Sequence, residues 1–293
     1  MKIGIGTAQL GMKYGIANKS SKITLNNFEK ILNYSLKKKI FLIDTANTYG
    51  NSEDKIGALF SKNKKFTKFK VITKLNSLRK FDNKNIYPKI LKLITLSIKK
   101  MNVKKLDGVL LHDMNDLKSY KSEKIIQTLY EIKKKGLISK LGISAYDIRD
   151  VLKYTKKFNF DFIQFPLNIF DQRILDKKIL KKLKDRKIEI HIRSIFLQGL
   201  LLMSKNNLPN KFKSNVNLKK WYEFLLKNNI SALEACTDFI KSKKIYSKAI
   251  IGFDNYKQFL EFLKYFSNKK KLNLSYKDFS VKNFKLINPS KWN

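Results

Sequence analysis

Short apolar segments alternate with amphipathic stretches along most of this chain. The apolar segments are rich in branched residues on both faces, which is typical of strands buried inside a parallel sheet. Eight such segments occur, at residues 1–6, 41–46, 70–75, 106–113, 140–145, 161–168, 188–196 and 248–253. Helical periodicity predicts helices at 25–38, 53–62, 85–100, 121–135, 147–157, 174–186 and 255–266. Thr24 is the expected capping residue of the first helix, and Pro88 is tolerable in a first helical turn.

The repeated strand–helix unit predicts the fold class. Parallel strands must be joined by crossovers of about a dozen residues or more, and most strand starts lie within reach of one such unit. Eight units in 293 residues fit a single-domain (β/α)8 TIM barrel better than an open doubly wound sheet. We assign residues 1–268 to the barrel and 269–293 to a lysine-rich, irregular C-terminal extension that packs on it.

One interval, from 197 to 247, is longer than the others. Its first part, 199–215, is polar and contains Pro209, which predicts a long loop over the barrel mouth before the helices resume. Neither a linker nor a shift in composition indicates a second domain within the chain.

Composition excludes several classes of protein. The chain is 43% hydrophobic and 29% charged, which is typical of a globular protein and not of a disordered or membrane-spanning one. A single cysteine, Cys236, excludes an intramolecular disulfide, and two histidines exclude a multi-histidine metal cage, so we expect no metal. The first residues carry one lysine and a glycine-broken run, unlike a signal peptide. We therefore expect a cytoplasmic protein without membrane contacts.

The formal net charge of +40 suggests a nucleic-acid partner, but the types and the distribution of the basic residues argue against one. Only five of the 63 basic residues are arginine, the residue suited to bidentate recognition of phosphate and guanine. The lysines are spread along the whole chain. We therefore expect a solvated lysine-rich surface that adheres to polyanions at low salt, and no specific nucleic-acid site. The sequence carries no signal for an oligomeric state.

Two phosphate-binding motifs fail on spacing. Gly4 and Gly6 follow a strand, but the next glycine is Gly11, so the dinucleotide fingerprint G-x-G-x-x-G is not met. Gly6 and Gly11 have Walker A spacing, yet Met12 and Lys13 follow where lysine and a hydroxyl residue are required.

Four polar residues lie at the ends of successive predicted strands. Asp44 ends the second strand, Tyr49 lies five residues further on, Lys74 ends the third strand and His112 ends the fourth. Singly, such residues are often a helix cap, a surface lysine or a structural histidine. The carboxyl ends of barrel strands open onto one face, however, so these side chains should converge there. Together they predict an active site.

These residues lie in segments that resemble the aldo-keto reductase family. The resemblance runs from about residue 3 to 266 and is carried by IGTAQLG at 5–11, IDTANTYGNSEDKIG at 43–57, ITK at 72–74, LLHD at 110–113, GIS at 142–144, IQFPLN at 163–168, SIFLQGLL at 194–201 and IGFDNYKQ at 251–258. The stretch D-T-A-x-x-Y-G-x-S-E is the most specific part. The family implies a (β/α)8 barrel that binds NADPH or NADH in extended form across its mouth, with no metal.

The resemblance also implies roles for the four polar residues. Tyr49 would donate a proton to a carbonyl oxygen, and Lys74 would favour release of that proton. Asp44 would hold Lys74, and His112 would orient the carbonyl by a hydrogen bond. The implied activity is reduction of a small polar aldehyde or ketone, with sugar-like compounds as candidates by analogy. The alternative is a dinucleotide-binding barrel that acts as a sensor or regulatory subunit with little turnover.

Cofactor contacts implied by the family fall on fifteen positions. They are Gly6, Thr7, Asp44, Ser144, Gln164, Arg193, Ser194, Leu197, Gln198, Gly199, Leu201, Gly252, Phe253, Asn255 and Gln258. In the family, the serine and glutamine hold the nicotinamide carboxamide. The loop after strand seven lies along the pyrophosphate, and the turn after strand eight receives the adenosine phosphate.

The chain departs from the family pattern at three positions, one of these fifteen and two that lie beside them. Ala145 replaces the asparagine that usually follows the serine, and Arg193 replaces a tyrosine that stacks on the nicotinamide. Either the Arg193 guanidinium or Phe196 could stack there instead, and a solvated arginine is the alternative. Asp254 replaces a basic residue common in NADPH-dependent members, although Lys248 or Lys257 could compensate. We therefore expect discrimination between NADPH and NADH of less than about two orders of magnitude.

Overall fold

Eight parallel strands close into a barrel in the computed structural model, which describes residues 2–18, 21–269 and 272–292. The strands are β1 (Ile3–Gly6), β2 (Leu42–Asp44), β3 (Lys70–Leu75), β4 (Gly108–Leu111), β5 (Leu141–Ser144), β6 (Phe162–Pro166), β7 (Glu189–Arg193) and β8 (Lys248–Ile251). Each pairs with the next along the chain, and β8 returns to β1 with Ile250 opposite Gly4. The predicted (β/α)8 TIM barrel is confirmed.

Alternation along the strands divides the core into two parts. One set of side chains fills the barrel interior: Leu42, Ile72, Leu110, Phe162 and Ile250. The opposite faces pack against the surrounding helices in a larger apolar cluster. Gly142 makes room for these side chains, because a Cβ there would lie 2.9 Å from side-chain atoms of both Leu110 and Phe162. The barrel is therefore closed by packed side chains below its mouth.

The helices surround the barrel. Their bounds are α1 (Ala8–Gly11), α2 (Leu25–Lys37), α3 (Ser52–Lys62), α4 (Ile86–Met101), α5 (Asn115–Lys118), α6 (Ser122–Lys134), α7 (Ile148–Lys157), α8 (Lys177–Asp185), α9 (Asn210–Lys213), α10 (Val216–Lys227), α11 (Ala232–Ser242), α12 (Tyr256–Ser267) and α13 (Phe284–Ile287). Thr24 caps α2 as predicted, its hydroxyl accepting a hydrogen bond of 3.2 Å from the Asn27 amide. Within the described ranges, no helix combines the length and apolarity needed to cross a membrane.

The segment after β7 is more helical than predicted. Three short helical elements, Leu197–Leu202, Lys205–Asn207 and α9, occupy the stretch expected to be a long loop. Leu208 and Phe212 are buried, and the Trp221 indole donates a 3.0 Å hydrogen bond to the Leu201 carbonyl. These anchors fold the polar stretch onto α10, which its polarity alone did not indicate.

Residues 272–292 pack on the outside of the barrel. The Tyr276 ring contacts Phe224 and Phe239 edge to face, and its hydroxyl donates to Asp238 at 3.2 Å. The Val281 amide donates a 2.8 Å hydrogen bond to the Phe170 carbonyl in the loop after β6. This segment therefore lies against α10, α11 and a loop at the mouth. The boundary between 268 and 269 remains a prediction.

Candidate active site

A cavity of about 700 Å³ opens at the carboxyl ends of the strands. Its walls come from the segments that follow β1, β2, β7 and β8, from β6, and from the start of α11. The lining includes ten predicted site residues beyond Asp44 and Tyr49: Gly6, Thr7, Gln164, Arg193, Ser194, Gln198, Gly199, Gly252, Phe253 and Gln258. Most of the predicted positions therefore converge on one cavity.

A buried ion pair lies at the deep end of this cavity. The Lys74 ammonium donates to the Asp44 carboxylate and, at 3.0 Å, to the Thr45 carbonyl. The other carboxylate oxygen of Asp44 accepts a 2.7 Å hydrogen bond from the Gln164 amide nitrogen. Burial lowers the pKa of Lys74, and the adjacent Asp44 carboxylate opposes that shift. The Asp44–Lys74 pair is therefore fixed by residues of β2, β3 and β6.

Tyr49 packs directly against this pair. The Lys74 nitrogen lies 5.1 Å from the centre of the Tyr49 ring. Burial raises the pKa of Tyr49, and the Asp44 carboxylate raises it further, whereas the Arg193 charge lowers it. The expectation that Lys74 makes this phenol more acidic stays a prediction, and the Asp44 carboxylate, which accepts from Lys74, acts in the opposite direction. The phenol is therefore protonated at neutral pH.

His112 contacts the same tyrosine. It follows β4 directly, and its ring meets the Tyr49 ring edge to face with 6.1 Å between centroids. Burial lowers the pKa of His112 to about 3, and the charges of Lys74 and Arg193 contribute. A neutral imidazole carries one N–H donor. The predicted set of four thus meets at one place.

Gln164 offers an unused acceptor. Its amide nitrogen is engaged by Asp44, so the side-chain oxygen is the remaining polar atom, and it is buried with no hydrogen-bond partner among the described residues. Ser144 ends β5 directly opposite Gln164 in the strand register and is itself buried. A primary amide on a ligand, such as the carboxamide of nicotinamide, would satisfy this acceptor. The residues present therefore fit that group.

Arg193 ends β7 and lines the cavity beside Tyr49. Its guanidinium lies 4.1 Å from the centre of the Tyr146 ring, donates to the Ala145 carbonyl at 3.1 Å, and contacts the Ser194 hydroxyl at 3.2 Å. The Tyr146 ring thus covers one face of the planar guanidinium group. Sequence analysis did not identify Tyr146 as a site residue. Phe196 also lines the cavity.

The loop after β7 has an unusual backbone. Ser194, Leu197, Gln198 and Gly199 have φ values of 57°, 48°, 53° and 89°, in the left-handed region. Leu197 is fully buried, as is Leu201, so these two predicted contacts anchor the loop in the core and do not line the cavity. The loop therefore presents Ser194, Gln198 and Gly199 to a ligand.

The loop after β1 contacts the loop after β7. The Ile16 amide donates a 3.0 Å hydrogen bond to the Gln198 carbonyl, and a Cβ on Gly199 would lie 2.5 Å from the Ala17 Cβ. Tyr14 also lines the cavity, with its hydroxyl 3.5 Å from the Gln198 amide nitrogen. Sequence reasoning missed Tyr14 and Ala17, because nothing in the local pattern shows that the two loops meet.

The far end of the cavity is acidic. Asp254 and Glu261 line it, and the Asp254 carboxylate accepts a 3.1 Å hydrogen bond from the Asn18 amide. Asn255 caps α12 by accepting from the Gln258 amide at 2.9 Å, and it does not line the cavity. Asp254 is therefore held in place at this end.

The two lysines considered as compensation for Asp254 are not among the described residues that line the cavity. Lys248 begins β8 at the amino end of the barrel, opposite the mouth. Lys257 is exposed on α12, and the described part of the lining contains no lysine. The described residues also contain no cluster of three or more side chains suited to a metal ion.

Comparison with known proteins identifies a family. Residues 2–279 match the aldo/keto reductase family. No curated protein sequence matches the chain.

Two solved structures are similar over nearly the whole chain. An aldo-keto reductase from Bacillus halodurans in its holo form has 17% identity and a TM-score of 0.73, covering 95% of this chain and 92% of its own. A glycerol dehydrogenase from Gluconobacter oxydans has 19% identity and a TM-score of 0.69, covering 95% and 90%. At these identities the likeness supports the fold alone.

Proposed function

The chain belongs to the aldo-keto reductase family, as its motifs predicted, and on that premise we propose that it reduces the carbonyl of a small polar aldehyde or ketone to an alcohol. The proposed electron donor is a reduced nicotinamide dinucleotide, and Tyr49 is the proposed general acid. One observation carries the proposal: Tyr49 lines the cavity, packed between the buried Asp44–Lys74 pair and the His112 ring.

Several residues would hold the dinucleotide. Gln164 and Ser144 would bind its carboxamide, since the free oxygen of Gln164 needs a donor. Ser194, Gln198 and Gly199 would follow its phosphates. When bound, a reduced nicotinamide supplies a hydride to a carbonyl carbon.

Side chains of the protein itself carry out the proposed proton transfer. As negative charge develops on the carbonyl oxygen, the Tyr49 hydroxyl donates its proton there. The neutral His112 donates its N–H to the same oxygen and stabilises the developing charge. Lys74, fixed by Asp44, keeps the Tyr49 ring in position.

The acidic end of the cavity supports a choice of cofactor. A 2′-phosphate would approach the carboxylates of Asp254 and Glu261, whereas free ribose hydroxyls can donate to them. We infer that NADH binds at least as well as NADPH. The difference stays below about two orders of magnitude, roughly what one charged contact supplies.

The test is turnover of the unmodified protein with a broad aldehyde panel, read from cofactor absorbance with NADH and NADPH in parallel. We expect reduction of several aldehydes with either cofactor. A protein that binds the cofactor tightly and reduces none of the panel would favour the sensor or regulatory alternative. A thousandfold preference for NADPH would overturn the inference from Asp254 and Glu261.

A further inference from the structure

Arg193 differs in its surroundings from three of the other four arginines, and the fourth, Arg186, is exposed and donates to the Thr155 hydroxyl. Arg79, Arg149 and Arg173 each form an ion pair with an aspartate. Arg193 forms none among the described residues, although its guanidinium faces a cavity instead of open solvent. Its partners are neutral: a carbonyl, a hydroxyl and an aromatic face. The guanidinium therefore has no ion-pair partner of its own among the described residues, since the nearby Asp171 carboxylate is already paired with Arg173.

The unused hydrogen-bond donors of Arg193 also favour an anionic ligand. A guanidinium has five N–H donors. The Nε of Arg193 is buried and has no acceptor within the described part of the chain. An oxyanion ligand can accept from two guanidinium N–H groups at once, which makes arginine well suited to carboxylate and phosphate groups.

Charge balance at the deep end supports an anionic ligand. Asp44 and Lys74 offset each other in a buried pair, and His112 is neutral at physiological pH. Arg193 then leaves this end with one uncompensated positive charge. Arg193 is half-buried, and partial burial of a cation without an ion-pair partner is unfavourable, a cost that a bound anion would relieve.

We propose that Arg193 binds a carboxylate or phosphate group of the substrate, so that this reductase prefers carbonyl compounds that carry an anionic group near the carbonyl. The inference rests on the proposed function, because it places that substrate between Tyr49 and Arg193, which line the same cavity.

Stacking on the cofactor ring explains the arginine less well. Tyr146 already covers one guanidinium face at 4.1 Å. The oxidised nicotinamide ring carries a positive charge, so a guanidinium stacked on it would be repelled once the hydride has left. A negative group on the substrate is attracted in both oxidation states.

The experiment compares matched substrates that differ in charge. The carboxylate arm uses 4-carboxybenzaldehyde and its methyl ester, and the phosphate arm uses glyceraldehyde 3-phosphate and glyceraldehyde. In at least one arm we expect kcat/KM to favour the anionic member by about ten- to hundredfold, the range of a charge-assisted hydrogen bond. Arg193→Gln should remove this preference, chiefly through KM. Because the Arg193 charge also acts on Tyr49 and this position is a predicted cofactor contact, the readout is the ratio of kcat/KM between the two members of a pair, part of which Arg193→Lys should retain.

Arg149→Gln is the matched control, because Arg149 lies on the surface with its side chain 88% exposed and its loss removes the same charge. An equal loss of preference in that variant would mean that the overall positive charge attracts the anion, which overturns the proposal. Equal kcat/KM for the anionic and the neutral member of both substrate pairs would also overturn the proposal. So would an Arg193→Gln variant that no longer binds the cofactor and reduces none of the four aldehydes.

Binding of 4-carboxybenzaldehyde, measured by calorimetry, does not require turnover. Weaker binding in Arg193→Gln than in Arg149→Gln would support the anion site even in a protein that reduces none of the four aldehydes, and in that case only the proposed function fails. Equal binding of 4-carboxybenzaldehyde in both variants, together with equal binding of glyceraldehyde 3-phosphate, would overturn the anion site.

Discussion

At the scale of single residues, the Asp44–Lys74 pair decides both stability and chemistry. Both side chains are almost fully buried, so removing one partner leaves an unpaired charge in the interior. We expect Lys74→Met to lower the free energy of unfolding by about 3–5 kcal/mol, and Asp44→Asn/Lys74→Met to recover part of that loss. Urea unfolding of the three proteins measures this. A double variant less stable than Lys74→Met would mean that the charges do not depend on each other.

His112 gives a pH-dependent prediction. Its pKa is lowered to about 3 in the folded protein, whereas an unfolded histidine titrates near pH 6.5. Between these values the unfolded chain binds a proton that the folded protein does not. His112 therefore contributes stability above pH 6.5 that is lost as the pH falls, by about 1.4 kcal/mol per pH unit. Unfolding of His112→Gln from pH 7 to 5 should show a shallower loss than wild type. Identical slopes would contradict a neutral buried imidazole.

Residues at strand ends were predictable, and residues that meet across the mouth were not. Asp44, Lys74 and His112 follow from strand alternation, because the register of a closed parallel barrel brings successive strand ends together. The stacking of Arg193 on Tyr146 depends on how two loops fold towards each other. Nothing in either local pattern indicates that contact.

At the scale of elements, the crossing of the β1 and β7 loops shapes the cavity. Gly199→Ala places a methyl group 2.5 Å from the Ala17 Cβ at a φ of 89°, so the β1 loop must move. We expect about 1–2 kcal/mol lower stability from the backbone conformation and at least tenfold weaker cofactor binding from the displaced loop.

Gly136→Ala is the control for Gly199→Ala. Gly136 has a φ of 79° but nothing within 4 Å of the added carbon. It should show a similar loss of stability with unchanged cofactor binding, measured by denaturant unfolding and fluorescence titration. Equal weakening of cofactor binding in both variants would mean that the loop crossing is not part of the site.

Prediction at this scale was good for regular elements and poor for the interval after β7. The strands and the long helices show clear periods, so their positions agree with the structure to within a few residues. The stretch at 199–215 is polar, and its short helical elements are set by burial of Leu208 and Phe212, by the hydrogen bond from Trp221 of α10 and by the contact of Phe212 with Trp292. Such tertiary anchoring has no local signal.

At the scale of the whole molecule, the net charge of +40 predicts a nonspecific surface property. Lysines are spread around the barrel and do not form one arm. We expect binding to duplex DNA that is independent of sequence and falls steeply as salt rises from about 50 to 200 mM. Fluorescence anisotropy with two unrelated duplexes measures this. Affinity that survives the added salt and differs between the duplexes would contradict a merely solvated surface.

The central claim is that Tyr49 transfers the proton in a site built to hold a dinucleotide by other residues. Tyr49→Phe removes one hydroxyl and keeps the ring that packs on Lys74 and His112. The direct measurement is a single turnover, in which protein preloaded with reduced cofactor is mixed with an aldehyde and the absorbance decay is followed. We predict cofactor binding within a few-fold of wild type and a decay at least about a hundredfold slower. A Tyr49→Phe protein that consumes the cofactor at the wild-type rate would contradict the account.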